Sequence, residues 1–159
     1  MEFRELARKN KQIGQEECIA LLRQQRRGVL SVLGEGGYPY GLPINHFYCP
    51  EDGKIYFHSG MTGHKVEALQ RCGKASFCVY DQGFCKPGEW ALNIRSVVVF
   101  GRVEPVEDRA WAMEVTRRLS RAFTQDETYI EEEIAQYGSH TLVLALTPEH
   151  ITGKLVREA

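Results

Sequence analysis

The sequence has no long apolar run and no excess of charge of either sign. No apolar stretch in its 159 residues approaches the roughly 20 that a membrane-spanning helix needs. The formal net charge is −1, so the chain as a whole does not attract nucleic acid or an anionic membrane. Its charged start, MEFRELARKNKQ, lacks the apolar segment of a secretory signal. We therefore expect no nucleic-acid or membrane partner and a cytoplasmic location.

Motifs for disulfides and metals are also missing. The five cysteines are an odd number and contain no CxxC pair, so reduced thiols are the simplest interpretation. Three histidines, His46, His58 and His64, have no i, i+4 spacing and no acidic residue at a ligand interval. We therefore expect neither a structural disulfide nor a metal site.

The composition that remains is typical of a globular protein, with 43% hydrophobic and 26% charged residues. A chain of this length can bury one sizeable core. There are no internal repeats, and no linker is long enough to separate two domains. We therefore expect a single domain over residues 1–159.

Strand patterns outnumber helix patterns along the chain. Predicted strands cover residues 28–33, 38–49, 54–58, 74–81, 90–106 and 141–146, and predicted helices cover 15–25, 64–72, 107–123 and 129–137. The first three strands follow one another through short turns and predict a meander. Pro39 and Pro43 predict that the second strand lies at an edge or is bulged at these residues. Gly101 predicts a bulge or a bend in the fifth predicted strand. Strict βαβ alternation is absent, which favours a small barrel with flanking helices.

One segment, IYFHSGMTGHKVEAL at residues 55–69, contains residues that are suited to binding a ligand. Gly63 lets the backbone approach a ligand closely, and the first turn of the following helix presents unpaired N–H groups. Lys65 adds a positive charge, while Ser59 and Thr62 add hydroxyl groups. This combination suits a phosphate, although its spacing is neither that of a Walker A motif nor GxGxxG. A helix that starts with glycine and a charged residue but binds nothing is the alternative.

Three runs, GYPYGLPINHFY, DGKIYFHSGMTGHKVEAL and SVVVFGRVE, resemble a known family in their order as well as their content. They are similar to the nitroimidazole-resistance (Nim-like) branch of the pyridoxamine-phosphate-oxidase-like, FMN-binding split barrels. The resemblance extends over roughly residues 15–154. It implies a mainly β fold with flanking helices, a six-stranded split β-barrel, and FMN bound between the two subunits of a homodimer.

The resemblance also implies which residues bind the flavin. Pro43, Ile44 and Asn45 would offer backbone groups to the ring; Tyr56, Phe57 and His58 would run alongside the flavin; Ser59, Gly63, His64 and Lys65 would surround the phosphate; and Arg95, Ser96 and Val97 would come from the partner subunit. Plain core packing is the alternative for Tyr56 and Phe57, and a solvated strand face is the alternative for Arg95 and Ser96. The loop DQGFCKPGEW at residues 81–90 has no role in this pattern.

The expected activity follows from the cofactor, because flavin supplies the electron chemistry. We predict an FMN-dependent oxidoreductase that reduces small aromatic or nitro compounds with NAD(P)H as donor. His64 is the candidate catalytic residue, and His46 and His58 are further candidates for proton delivery. A non-catalytic flavin carrier or sensor and a haem-binding split barrel are the alternatives.

Overall fold

A computed structural model describes residues 2–158, whose strands form one antiparallel sheet. The strands are β1 Gln12–Ile13, β2 Arg27–Leu33, β3 Pro39–Asn45, β4 Phe47–Tyr48, β5 Ile55–Gly60, β6 Lys74–Tyr80, β7 Phe84–Cys85, β8 Leu92–Pro105 and β9 Thr141–Glu158. The helices are α1 Gln15–Gln24, α2 His64–Arg71, α3 Arg109–Arg121 and α4 Glu127–Tyr137. Nine strands thus replace the six predicted, because three additional strands contain only two residues each. The predicted fold class is confirmed.

The sheet curls into a half-barrel that stays open on one side. Its strand order is β3-β2-β6-β8-β9-β5-β4, so β3 bonds only to β2, and its other edge has no strand partner in the described chain. The predicted edge position of the strand with Pro39 and Pro43 is confirmed. The predicted meander is confirmed only in part. The predicted second strand divides into β3, which pairs with β2, and β4, which pairs with β5, and these two pieces lie at opposite edges of the sheet. β5 pairs along its length with β9 and not with β3.

The long strand β8 pairs along its whole length with β9, and these two strands lie in the middle of the sheet. Their register shifts between Phe100 and Gly101, which confirms the predicted irregularity. A Cβ on Gly101 would collide with the carbonyl oxygen of Thr147, so only glycine fits. β9 continues well past the predicted end at residue 146, because Pro148 lies opposite Gly101 at the register shift.

Two apolar clusters hold the sheet and helices together. The larger fills the inside of the half-barrel, where the alternation predicted for β6 buries Ala75, Phe77 and Val79. The smaller cluster lies on the other side of β5, where Tyr56 and Val143 pack against α3. The sheet therefore has an inner face in the main core and, at β5, an outer side covered by helices.

The helices α3 and α4 begin at aspartate caps. Asp108 accepts a hydrogen bond from Trp111 N at 3.1 Å, and Asp126 accepts one from Tyr129 N at 3.0 Å. Val115 and Leu119 bury the apolar face of α3, and Gly138 ends α4 as predicted. No helix within residues 2–158 is long and apolar enough to cross a bilayer.

Candidate functional site

The loop between β5 and α2 forms the predicted turn from strand to helix. Gly63 precedes α2 with a φ of 117°, a left-handed conformation that side chains rarely adopt. No side chain caps the start of α2 in the described chain, so the N–H groups of its first turn have no side-chain acceptor. The start of α2 can therefore accept an anionic group.

Lys65 lies in that first turn and is half-buried. No acidic side chain within residues 2–158 forms an ion pair with it, and burial lowers the pKa of its ammonium group. A partly desolvated charge is unfavourable until an opposite charge compensates it. The sequence could show that a lysine follows Gly63, but only the folded chain shows that this lysine lacks a counter-charge.

His58 and His64 lie on either side of this loop. The side chain of His58 keeps access to solvent, yet the protein around it and, more weakly, the charge of Lys65 lower its pKa. His58 is therefore neutral near pH 7. His64 is exposed and stacks on Tyr40 of β3, with 4.0 Å between ring centroids. This contact brings the start of α2 against the edge strand of the barrel.

The free edge of β3 contains the residues predicted to face the flavin ring. Pro43 is exposed, Ile44 is buried and Asn45 is half-buried, with its Oδ1 accepting a hydrogen bond from Arg27 Nε at 2.9 Å. Backbone groups on an unpaired strand edge are free to bond a ligand. Across the opening, Ser59 is buried and donates its hydroxyl to Gly60 O at 3.0 Å.

Two hollows of about 190 and 270 Å³ adjoin His58 between β5 and the helices α3 and α4. Both are lined by His58, Ser120 and Glu133. The first also contains Asn45 and Phe123. The sequence did not predict that α3 and α4 line the site beside His58. Helical periodicity identifies the apolar faces of these helices but not the strand that they cover.

Tyr56 and Phe57 occupy core positions, as in the alternative left open for them. Phe57 is fully buried and packs edge-on against Phe77, with ring centroids 5.1 Å apart. The Tyr56 hydroxyl donates to Asp52 Oδ2 at 2.5 Å and accepts from Trp111 Nε1 at 3.0 Å, and burial raises its pKa to about 12. In a single chain both side chains are enclosed by protein.

Arg95, Ser96 and Val97 lie on β8, which the strand order separates from β5 by β9. Val97 is fully buried, whereas Ser96 is half-buried. The Arg95 guanidinium lies 3.6 Å from Asp81 and 5.5 Å from the centre of the Phe84 ring, within the same chain. One chain therefore does not bring these residues to the α2 loop.

His46 lies apart from the other two histidines. It is buried, and its Nε2 donates to the Leu22 carbonyl oxygen at 2.7 Å, while burial lowers its pKa. Within residues 2–158, no three His, Cys, Asp or Glu side chains group as metal ligands would. All five cysteines are unpaired, and burial raises the pKa of Cys18 and Cys49.

A curled antiparallel half-barrel with an open edge, against which α2 packs at β2, is the architecture of the split-barrel class. Residues 14–155 match the family described as pyridoxamine 5'-phosphate oxidase, and the chain belongs to that family. The family resemblance found in the sequence is thereby confirmed. No curated protein matches the chain.

Solved structures share the fold at low sequence identity. A candidate 5-nitroimidazole antibiotic resistance protein from Bacteroides thetaiotaomicron is 21% identical, with a TM-score of 0.76 over 92% of this chain and 87% of that one. An FAD-binding protein from Mesorhizobium loti is 22% identical, with a TM-score of 0.65 over 92% and 97%. An FAD- and haem-binding protein from Mycobacterium smegmatis is 20% identical, with a TM-score of 0.65 over 91% and 73%.

Proposed function

We propose that this protein binds FMN and that Lys65 and the start of α2 hold its phosphate. The observation that carries the proposal is the half-buried Lys65, which has no acidic partner in residues 2–158. A phosphate dianion would supply that counter-charge and accept hydrogen bonds from the free N–H groups of the helix. Gly63 leaves the backbone accessible at this point.

The flavin ring then lies along the opening between β3 and β5. Backbone groups near Pro43 and Asn45 bond its polar edge, because this edge of β3 has no strand partner within residues 2–158. His58 and the hollows beneath α3 lie next to that position, so a small aromatic substrate has space beside the ring. Structural neighbours that are named as flavin-binding support the same cofactor class.

We propose a reductase of small aromatic or nitro compounds that takes electrons from NAD(P)H. Bound FMN supplies the electron chemistry, and the protein positions the reactants. His58 is the histidine best placed to relay protons, because it lines both hollows and a neutral imidazole both accepts and donates, whereas His64 stacks on Tyr40. A neighbour named for nitroimidazole resistance supports this substrate class.

We further propose a homodimer that buries the outer face of the sheet. Burial alternates along β8: Val97 and Val99 enter the core, while Val98 is half-exposed and Phe100 is 42% exposed. Val98 lies beside Cys78, and Cys78 lies beside Val29, so an apolar row crosses three strands of the outer face. A second copy would cover this row and bring its own β8 toward the flavin.

Two measurements test the function. The visible spectrum of the purified protein distinguishes bound flavin from haem and from no cofactor. Steady-state oxidation of NAD(P)H with a nitroaromatic acceptor then distinguishes a reductase from a flavin carrier or sensor. A haem spectrum contradicts the proposed cofactor, and a flavin-loaded protein that never oxidises NAD(P)H contradicts the reductase activity.

A further inference from the structure

A second group of basic residues lines a groove on the far side of α3. One hollow of about 430 Å³ lies between the end of α1, β4 and the end of α3, and a second of about 540 Å³ continues it outward. Arg23, Arg26 and Arg121 line both hollows, and Arg118 lines the first. Glu51 is the one acidic residue in this lining. We call these two hollows the arginine groove.

Two of the four arginines already form ion pairs with carboxylates of the same chain. Arg118 bonds Glu51 at 2.8 Å and Glu114 at 2.9 Å. Arg121 forms a two-point pair with Glu127, at 2.8 and 3.0 Å. These ion pairs stabilise the end of α3 and largely compensate the positive charge of both arginines, so they contribute little to binding an anionic ligand.

The other two, Arg23 and Arg26, have no acidic partner within 4.0 Å in the described part of the chain. Arg23 lies in the last turn of α1, where a cation also offsets the helix dipole. Arg26 lies beyond that helix, with its guanidinium 5.7 Å from the centre of the Phe123 ring. Two unpaired guanidinium groups facing one groove suit a phosphate or diphosphate.

The arginine groove is continuous with the hollow at His58. Phe123 and Thr124 line both the outer part of the groove and the hollow that contains His58 and Asn45. Since Arg26 lies over Phe123, its charge is at the junction. A ligand could therefore place an anionic end in the groove and a flat ring beside His58.

We propose that Arg23 and Arg26 bind the diphosphate of the nicotinamide dinucleotide donor, whose ring reaches the hollow at His58. This inference rests on the proposed function, because it assigns a site to the donor of that reaction. The two ends of the site differ in chemistry: Arg23 and Arg26, unpaired among the described residues, lie at one end, and the hollow lined by His58 and Phe123 lies at the other. The arginines position the donor and take no part in electron transfer.

The first test measures binding of ADP-ribose, which has the diphosphate but no nicotinamide, to the flavin-loaded protein by calorimetry. The double variant Arg23→Gln, Arg26→Gln should bind it about tenfold more weakly or worse, as expected for lost charge-assisted bonds. Arg71→Gln is the matched control, because Arg71 is exposed in the last turn of α2 and does not line the groove. Its affinity should equal that of the wild type.

The second test follows steady-state NAD(P)H oxidation in the same proteins. The double variant should raise the KM for NAD(P)H about tenfold and leave kcat close to the wild-type value. Undetectable ADP-ribose binding, equal binding by the double variant, or displacement of the flavin by ADP-ribose would overturn the inference. Arginine-dependent ADP-ribose binding without any NAD(P)H oxidation would instead contradict the proposed reductase and leave the anion site standing.

Discussion

Basic residues on α2 and α3 behave differently. On α3, Arg117 pairs with Glu131, Arg118 with Glu51 and Glu114, and Arg121 with Glu127. These pairs raise the pKa of each arginine. At the start of α2, Lys65 has no such pair in residues 2–158, and burial lowers its pKa.

This difference distinguishes charges that stabilise the fold from charges that are available to bind a ligand. A cation that is paired with the protein's own carboxylates contributes to the stability of the fold and needs no further counter-charge. A cation that is partly desolvated and unpaired carries an unfavourable free energy that an anionic ligand can relieve.

The largest effect is expected for Lys65→Ala. Loss of a charge-assisted bond should weaken FMN binding by about 1.5–3 kcal/mol, or roughly 10- to 150-fold. Riboflavin binding should be unchanged, because riboflavin has no phosphate. Lys74→Ala is the control, since Lys74 is exposed on β6 away from the loop. Fluorescence titration measures both ligands, and an equal loss of affinity for riboflavin would show that Lys65 supports the fold instead.

A smaller loss of FMN affinity is expected for Arg95→Ala. Arg95 is held by Asp81 and Phe84 of its own chain, so it can act on the phosphate only across a dimer interface and with part of its charge compensated. FMN affinity should also fall on dilution as dimers dissociate. Sedimentation and flavin fluorescence over a range of protein concentrations check this. A monomer that retains one FMN per chain would refute the shared site.

Stability should fall as the pH drops below about 6.5, the ordinary pKa of histidine. Burial lowers the pKa of both His46 and His58, so the unfolded chain takes up protons before the folded one does. The contribution of the two neutral histidines to the free energy of unfolding is present in full above about pH 6.5. It is lost as the pH falls through their lowered folded-state pKa values. Melting curves across this range should show a smaller loss for His58→Gln than for the wild type; identical slopes would contradict the role of His58.

The smallest effect on FMN is expected for Arg118→Ala. Its carboxylate partners Glu51 and Glu114 would lose their cation, so the melting temperature should fall slightly. FMN affinity should stay at the wild-type value, because Arg118 does not reach the α2 loop. A loss of affinity comparable to that of Lys65→Ala would remove the distinction between paired and unpaired cations.

Local patterns were sufficient to predict much of this fold. The prolines of β3 predicted an edge position or a bulge, and Gly101 predicted an irregularity in β8, because both constraints act on the backbone at those residues. The pairing of β5 with β9 could not be predicted in this way. It joins segments about 90 residues apart and depends on how the sheet closes.

The candidate site could likewise be predicted from the sequence only in part. The sequence order of Gly63, His64 and Lys65 predicted the helix start, since a short motif determines it. The isolation of Lys65 from acids and the hollow at His58 depend on side chains from distant elements such as α3 and α4. Those contacts exist only in the folded chain, so no motif could reveal them.

Titration of the flavin-free wild-type protein with FMN and with riboflavin tests the central claim most directly. The two ligands share the ring and differ in the phosphate that the start of α2 is proposed to hold. We expect FMN to bind at least about tenfold more tightly than riboflavin, as when a charged group gains such bonds. Equal affinities for FMN and riboflavin would contradict it.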